Sequence, residues 1–329
     1  MNVLITSASR KVALVKAFQQ ALTSESGGEV IAVDTDWRSA ALYFADRSYL
    51  VPSGLGEGFL SAIDGICHRH DVTLLIPTRD EELPVFASRR KSMAERGVTV
   101  MVAAPEVIQT CQDKLQFIRF CQANGFGVPE TFNLRVAFDR LPYPLFVKDR
   151  FGKGSRNAQV VQSTEQLKNL LARLPDPVIQ ELIVAPEFTI DLMADFSGQV
   201  LSAVARVRDR IVAGESFVGH TSKEPLVISE SIRLAQALGL VGHNTLQCFL
   251  HDQQVKFIEV NPRYGGAANL GFAAGVLTPL HLVRLVSGKP VQPNVGEYKE
   301  GLTMLRYTED LFIDETHTQI PVWDQSRSV

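Results

Sequence analysis

The segment Phe257-Ile-Glu259-Val-Asn261-Pro-Arg263 gathers oxygen donors and a cation on one short stretch. Side chains two apart on a strand share a face, so Glu259 and Asn261 point the same way. Both offer oxygens of the kind that Mg2+ takes. Arg263, just beyond, can stabilise charge on a transferring phosphoryl group. Gln247 sits on the preceding strand of a predicted hairpin, where it can face Glu259 and add an oxygen. The hairpin alone fits a solvent-facing Glu/Asn pair equally well.

A second segment, Pro144-Leu-Phe-Val-Lys148-Asp-Arg-Phe-Gly152-Lys153-Gly154-Ser155-Arg156, ends a strand in a lysine and follows it with a glycine-containing loop. Glycines let backbone N–H groups come close to phosphates, and Lys148 supplies a point charge for an α- or β-phosphate. The loop lacks Gly-x-x-x-x-Gly-Lys-[Ser/Thr] and is not a Walker-type P-loop. A plain hairpin loop would carry the same residues. In a third segment, Val178-Ile-Gln180-Glu181-Leu182-Ile183-Val-Ala-Pro-Glu187, an apolar strand runs into an acid. Backbone groups of Glu181 to Ile183 can read an adenine edge, and Glu187 can accept from ribose hydroxyls. The competing reading is an edge strand with exposed acids.

The elements that must position these residues follow from hydrophobic periodicity. Val3–Ile5, Val30–Val33, Val72–Ile76 and Val98–Val102 read as strands. Between them, Lys11–Leu22, Phe59–His70 and Glu81–Arg96 read as helices. Strands alternating with helices imply parallel pairing and a doubly wound α/β sheet for about the first hundred residues. The rhythm then changes to α+β. Pro105–Asn124 reads as one helix, stopped by Gly125 and Gly127. Strands follow at Pro144–Asp149, Ala158–Val161, Val178–Ile183, Glu187–Ala194 and Val200–Arg208, the last two forming a hairpin. A helix is predicted over Thr164–Leu174. Ser229–Leu240 and Pro279–Ser287 read as helices on either side of a second hairpin, Thr245–Leu250 with Val255–Val260. The tail after Gly288 shows no clear pattern, and the chain contains neither internal repeats nor low-complexity segments.

The chain has 329 residues, 45% hydrophobic and 21% charged, with a net charge of −3. This length suggests two or three compact units with ample cores. The balance gives no basic footprint for nucleic acid, so phosphates must be met by local cations or N–H groups. Cys67, Cys111, Cys121 and Cys248 form no Cys-x-x-Cys pair and read as reduced, partly buried thiols. The start carries its positive charges, Arg10 and Lys11, after a short apolar run, unlike a signal peptide. No window is long and apolar enough to span a membrane. A cytoplasmic location is therefore expected. A homodimer is compatible with the sequence, which offers nothing for or against one.

Taken in order, Asp113-Lys114, Lys148 with the glycine loop, the hinge, Glu187 and Glu259-x-Asn261-Pro-Arg263 resemble the ATP-grasp superfamily. Over roughly residues 1 to 290 the chain is similar to one synthetase unit of the carbamoyl-phosphate synthase large subunit. It also resembles smaller carboxylate–amine ligases such as the pyrrolysine-biosynthesis ligase. The resemblance implies a Rossmann-like pre-ATP-grasp domain (1–108), a small ATP-grasp lobe with a glycine-rich flap (109–183), a large lobe with the metal site (184–300) and a tail (301–329).

The resemblance also implies roles. Lys114 and Lys148 would bind ATP phosphates beneath a flap containing Gly152, Lys153, Gly154 and Ser155. Gln180, Glu181, Leu182 and Ile183 would hold adenine, and Glu187 the ribose. Gln247, Glu259 and Asn261 would carry Mg2+, usually two ions, with Mn2+ an acceptable substitute. Arg263 would brace an acyl phosphate, with Lys148 sharing the charge. The first domain would not bind the nucleotide. Consistently, Thr6-Ser-Ala-Ser-Arg10 replaces the Gly-x-Gly-x-x-Gly that close pyrophosphate approach requires, which argues against a nicotinamide oxidoreductase.

Among weaker candidates, Arg206, Arg208 and Arg210 alternate on one strand face and, with His220 and Lys223, suit a substrate carboxylate and the γ-phosphate; a solvated basic edge strand suits them as well. Thr78 to Glu82 follows a strand end where open α/β sheets place ligands, though an acid cluster at a helix start explains it more simply. The expected function is an ADP-forming carboxylate–amine ligase working through an acyl phosphate on small-molecule substrates, with neither nucleic acid nor membrane as partner. The alternatives are a carbamoyl-phosphate-synthase-like enzyme or a non-catalytic ATP-binding subunit. The single synthetase unit, without a visible glutaminase cysteine, argues against bicarbonate and ammonia chemistry.

Overall fold

The computed structural model describes residues 1–25, 27–133, 137–152 and 157–320. In chain order the first elements are β1 (Asn2–Ile5), α1 (Val12–Glu25), β2 (Val30–Asp34), β3 (Arg47–Leu50), α2 (Glu57–Arg69), β4 (Val72–Ile76), α3 (Glu82–Ala94) and β5 (Thr99–Val100). They build a five-stranded sheet ordered β3-β2-β1-β4-β5, parallel throughout. The expected doubly wound α/β domain is present. β1, β2 and β4 are apolar runs buried on both faces, as parallel strands covered by helices must be. α1 buries Leu14, Val15, Phe18 and Leu22, the stripe its periodicity predicts. β5 keeps only two residues of the predicted Val98–Val102 strand.

The second series runs α4 (Pro105–Gln112), α5 (Lys114–Ala123), β6 (Thr131–Phe132), β7 (Leu145–Asp149), β8 (Gln159–Val161), α6 (Thr164–Leu171) and β9 (Pro177–Glu181). It continues with β10 (Glu187–Ala194), β11 (Val200–Val212), β12 (Glu215–Ser222), α7 (Pro225–Leu238), β13 (Gly242–His251), β14 (Gln254–Asn261), α8 (Asn269–Ala273), α9 (Thr278–Val286) and β15 (Thr303–Leu305). Two antiparallel sheets result, one ordered β6-β9-β7-β8 and one ordered β14-β13-β10-β11-β12-β15. The smaller sheet closes over Leu145, Val147, Val161, Leu167 and Ile179. A last hairpin pairs β16 (Phe312–Ile313) with β17 (Gln319–Ile320).

By contact the chain divides into two compact units. One holds residues 1–100, Pro279–Pro290 and 305–320; the other holds Met101–Thr278 and Val291–Met304. Both antiparallel sheets belong to the second.

The single helix expected over Pro105–Asn124 is two helices broken at Asp113. That residue is extended (φ −100°, ψ 103°) and turns its carboxylate onto the backbone N–H groups of Leu115 and Gln116. An aspartate that bonds the next turn's N–H groups competes with helix continuation and caps the helix that follows. The strands Arg47–Leu50 and Glu215–Ser222 were not expected, because their polar content hides the period, nor was α8, whose five residues are too few to show a helical one. All four cysteines are buried and free. Among the described residues, no helix is long and apolar enough to cross a membrane.

Candidate active site

Strand register brings the chemistry together within the second unit. β13 and β14 pair so that Gln247 lies opposite Glu259, and β10 pairs so that Thr189 lies opposite Gln247. With a side-chain period of two, Glu187, Gln247 and Glu259 then share a face. They line one cavity with Lys114, Lys148, Gly152, Gln180, Glu181, Leu182 and Ile183. The two lysines, the loop's first glycine, the hinge and the metal-type oxygens thus meet at one place.

Lys148 is the last residue but one of β7 and is 7% exposed. Burial pulls its pKa down to about 8, with Lys114 adding repulsion while Glu259 and Glu187 oppose the shift. Lys114 opens α5 and donates its Nζ to the Gly152 carbonyl. The helix start is fixed by Asp113, whose carboxylate also grips Arg150 through a forked pair, Nε to Oδ1 at 2.7 Å. Burial pushes the Asp113 pKa up, but the hydrogen bonds from Arg150 and Gln116 and the Arg150 charge together prevail and hold it at about 2. Gly152 is required sterically: a Cβ there would stand 2.5 Å from the Asp149 Cβ. Lys153, Gly154 and Ser155, expected in the flap, lie outside the described residues.

At the hinge, the Glu181 N–H donates to the Glu130 carbonyl and the Glu181 carboxylate pairs with Lys256 at 2.7 Å. Leu182 and Ile183 follow just past the strand end, on the cavity wall. Glu187 opens β10 and pairs with Arg208. Asn261 donates to Glu259 Oε1 at 3.0 Å, while its own Oδ1 accepts from Arg263 Nη2 at 3.2 Å. Asn261 and Arg263 adjoin Glu259 without lining the cavity. Arg263 also donates to the Tyr264 carbonyl. Gly265 is explained by packing: a Cβ there would meet Thr245 Oγ1 at 2.8 Å.

Two expected substrate residues are elsewhere. Arg206 is 2% exposed, forked onto Asp191 at 2.6 and 3.2 Å. Its fork is spent on a buried carboxylate and does not reach the cavity. His220 is on β12, half exposed, bonded to Asp209 at 2.8 Å. It pairs with Val207, so it lies on the sheet face opposite Arg206 and Arg208. Of the three alternating arginines, Arg208 alone lines the cavity. The register shifts after it, and Arg210 turns to the Phe217 ring. In the first unit, Glu82 spends both oxygens on Thr6 Oγ1 (2.8 Å) and Ser7 Oγ (2.6 Å), and Asp34 accepts from the N–H groups of Ser9 and Thr35. Both carboxylates tie loops together.

Sequence reasoning missed the cavity's apolar wall, which includes Phe146, Phe249 and Ile258. A signal existed for two of them: Phe146 is two residues before Lys148 and Phe249 two after Gln247, hence on the same faces. Arg150 was missed because its partner is 37 positions away.

Glu259 brings a carboxylate, Gln247 and Asn261 bring amide oxygens, and two lysines stand nearby. Among the described residues, no group of three or more His, Cys, Asp or Glu gathers to hold a metal. That donor set fits Mg2+, which takes one or two carboxylates and completes its shell with substrate phosphates and water. It is unsuited to the softer N/S sites of zinc.

Residues 3–101 match the family described as PylC-like, N-terminal domain. Residues 173–309 match the family described as ATP-grasp in the biosynthetic pathway with Ter operon. The carbamoyl phosphate synthase large chain of Xylella fastidiosa is 27% identical over 270 residues, covering 73% of this chain and 24% of that protein. The chain spans about a quarter of the length of the curated relatives it matches. Among solved structures, biotin carboxylase from Campylobacter jejuni superposes with a TM-score of 0.72 at 16% identity, over 92% of this chain and 74% of that one. The L-amino acid ligase from Bacillus licheniformis gives 0.70 at 19% identity, over 92% and 78%. At such identities the likeness is one of fold. The chain thus matches an ATP-grasp family over residues 173–309 and a PylC-like N-terminal domain over residues 3–101, and it is similar over most of its length to part of the carbamoyl phosphate synthase large chain.

Proposed function

We propose that the chain is an ATP-dependent, ADP-forming ligase that joins a carboxylate to an amine through an acyl phosphate. The observation that carries this reading is the convergence of Lys114, Lys148, the Gln180–Ile183 hinge, Glu187, Gln247 and Glu259 on one cavity. In this reading residues 109–183 act as the small lobe and 184–300 as the large one. The hinge and the apolar wall hold the adenine, and Glu187 accepts from the ribose.

A substrate carboxylate oxygen attacks the γ-phosphorus, the bond to the β-phosphate oxygen breaks, and ADP leaves. Lys114 and Lys148 hold the phosphates and spread the developing negative charge, since positioning and electrostatics dominate phosphoryl transfer. Gln247, Glu259 and Asn261 would hold Mg2+, which supplies neutralisation of the phosphate oxygens. The Asn261 side chain ties Arg263 to this cluster, so the guanidinium is held where acyl-phosphate charge would appear. The amine nitrogen then attacks the acyl carbon, phosphate leaves with the C–O bond, and the nitrogen loses a proton. No side chain is required as a covalent nucleophile.

The test is nucleotide product release from Mg-ATP against pooled carboxylates and amines. ADP with phosphate, formed only when both pools are present, is the expected result. AMP formation overturns the mechanism. ATP binding without turnover across the panel would instead favour a non-catalytic nucleotide-binding subunit.

A further inference from the structure

Arg208 is a cation on the cavity wall that the ligase reading leaves without a task. Its side chain is 7% exposed and every arm of the guanidinium is engaged. Nε donates to Ser216 Oγ at 3.2 Å, Nη2 to the Gly214 carbonyl at 2.7 Å, and Nη1 to Glu187 Oε1. With the Gln247 amide turned to satisfy both neighbours, Nη1 also reaches the amide oxygen at 2.8 Å while the amide NH2 donates to Glu259 Oε1.

That oxygen is the atom a divalent cation shared between Gln247 and Glu259 would need. Turning the amide by half a rotation presents the oxygen to Glu259 and to a cation beside it. The same turn sets the amide NH2 against Arg208 Nη1, donor against donor. An NH2 accepts nothing, so this arrangement leaves Nη1 facing an unfavourable neighbour in a low-dielectric wall. Gln247 therefore serves Arg208 or a cation, but not both. Positive charge on Arg208 adds repulsion of the same sign.

We propose that Arg208 competes with the divalent cation for the Gln247 oxygen, so that cation loading requires Arg208 to let go of Gln247. This rests on the Mg-ATP reading of the cavity. The competition opposes binding of a bare cation and leaves loading to the cation that arrives with nucleotide phosphates. Arg208 thus acts through Gln247, as a positioning residue, and through Glu187 it reaches the residue expected at the ribose. A plain structural cross-link would behave in the opposite way: its loss would loosen the donor set and weaken cation binding.

The experiment is titration of the full chain with Mn2+, nucleotide omitted, followed by electron paramagnetic resonance of the free ion. Arg208→Gln is expected to bind Mn2+ about tenfold more tightly than wild type, the scale of one charge-assisted hydrogen bond removed from competition. Arg208→Lys, which keeps the charge without the fork, should fall between them. Equal or weaker binding by Arg208→Gln overturns the proposal. In a Gln247→Leu background the contested oxygen is gone, and Arg208→Gln should then change affinity by no more than about twofold. A full shift in that background shows simple charge repulsion and also overturns it. Should Arg208→Gln fail to fold, the paired variant Glu187→Gln/Arg208→Gln removes the stranded carboxylate and is held to the same result. Failure of the underlying reading is seen separately, as wild type that does not bind Mg-ATP in calorimetry.

Discussion

Arg206 and Arg208 stand two residues apart on one face of β11, and the chain uses them differently. Arg206 is forked onto Asp191 with both side chains 3% exposed. Nearby, His243 Nε2 lies 3.7 Å from Asp191 Oδ1, and the His243 ring stacks on Tyr264 at 4.0 Å. Burial pushes the Asp191 carboxyl up, but the charges and hydrogen bonds of Arg206 and His243 together outweigh it and hold the pKa at about 2. Burial pushes the His243 pKa below that of an ordinary imidazole, against the pull of Asp191. This pair is electrostatically complete. Arg208 faces Glu187, Gln247, Ser216 and a carbonyl, and some of those groups have a second suitor in the proposed chemistry. The difference teaches that a buried charge becomes available for function when its partners outnumber what one geometry can satisfy.

The largest expected effect breaks the open side. Glu259→Ala should lower ADP release by at least about 10³-fold, the scale of losing a preorganised charge at the reacting group. Its melting temperature should stay near that of wild type, because Glu259 holds no sealed pair. Turnover that survives would place the reaction elsewhere and remove the contrast between the two arginines.

The next effect falls on the closed side. Asp191→Ala strands Arg206 in the sheet, and breaking a buried pair from one end costs about 3–5 kcal/mol. Urea denaturation of Asp191→Ala against Glu187→Ala measures the contrast directly. Glu187→Ala should lose far less stability, since Arg208 keeps Ser216, Gly214 and Gln247. It should lose nucleotide affinity instead. Equal losses of stability would show that both pairs are structural.

What the sequence showed of this site depended on local period. Glu259 and Asn261, Lys148 and the hinge were legible because strand alternation puts residues two apart on one face; Gln247 comes opposite Glu259 only through a register shift next to Cys248, since the turn at Asp252-Gln253 by itself would set it against Ile258. What stayed hidden was decided across strands. Nothing in the spacing says that Arg206 meets Asp191 fifteen positions earlier, or that His220 turns away from Arg208 onto Asp209. The parallel sheet was visible in its apolar strands but not in β3, whose Arg47-Ser-Tyr-Leu50 sits at the sheet edge, where apolar runs are not needed. The break at Asp113 left a trace, an aspartate directly before a helical run, which is a capping signal.

The smallest expected effect sharpens the comparison through pH, because Lys148 is a buried charge on the open side. Its pKa is about 8 in the folded chain, against 10.5 for the ordinary group, burial being the main cause. Below pH 8 the ammonium is present in folded and unfolded chains alike, and its burial is a cost of folding. Between about pH 8 and 10.5 the unfolded chain binds more protons than the folded one, so stability attributable to Lys148 rises with pH. Nucleotide affinity should move the other way, falling toward about tenfold per pH unit above 8 as the phosphate loses its cation. Lys148→Met should flatten both trends, which separates Lys148 from other groups titrating in the same range. Chemical denaturation and ATP affinity from pH 7 to 10 supply the two curves. If they run parallel, Lys148 is a structural charge like Arg206, and the cavity's electrostatics are not arranged around phosphate.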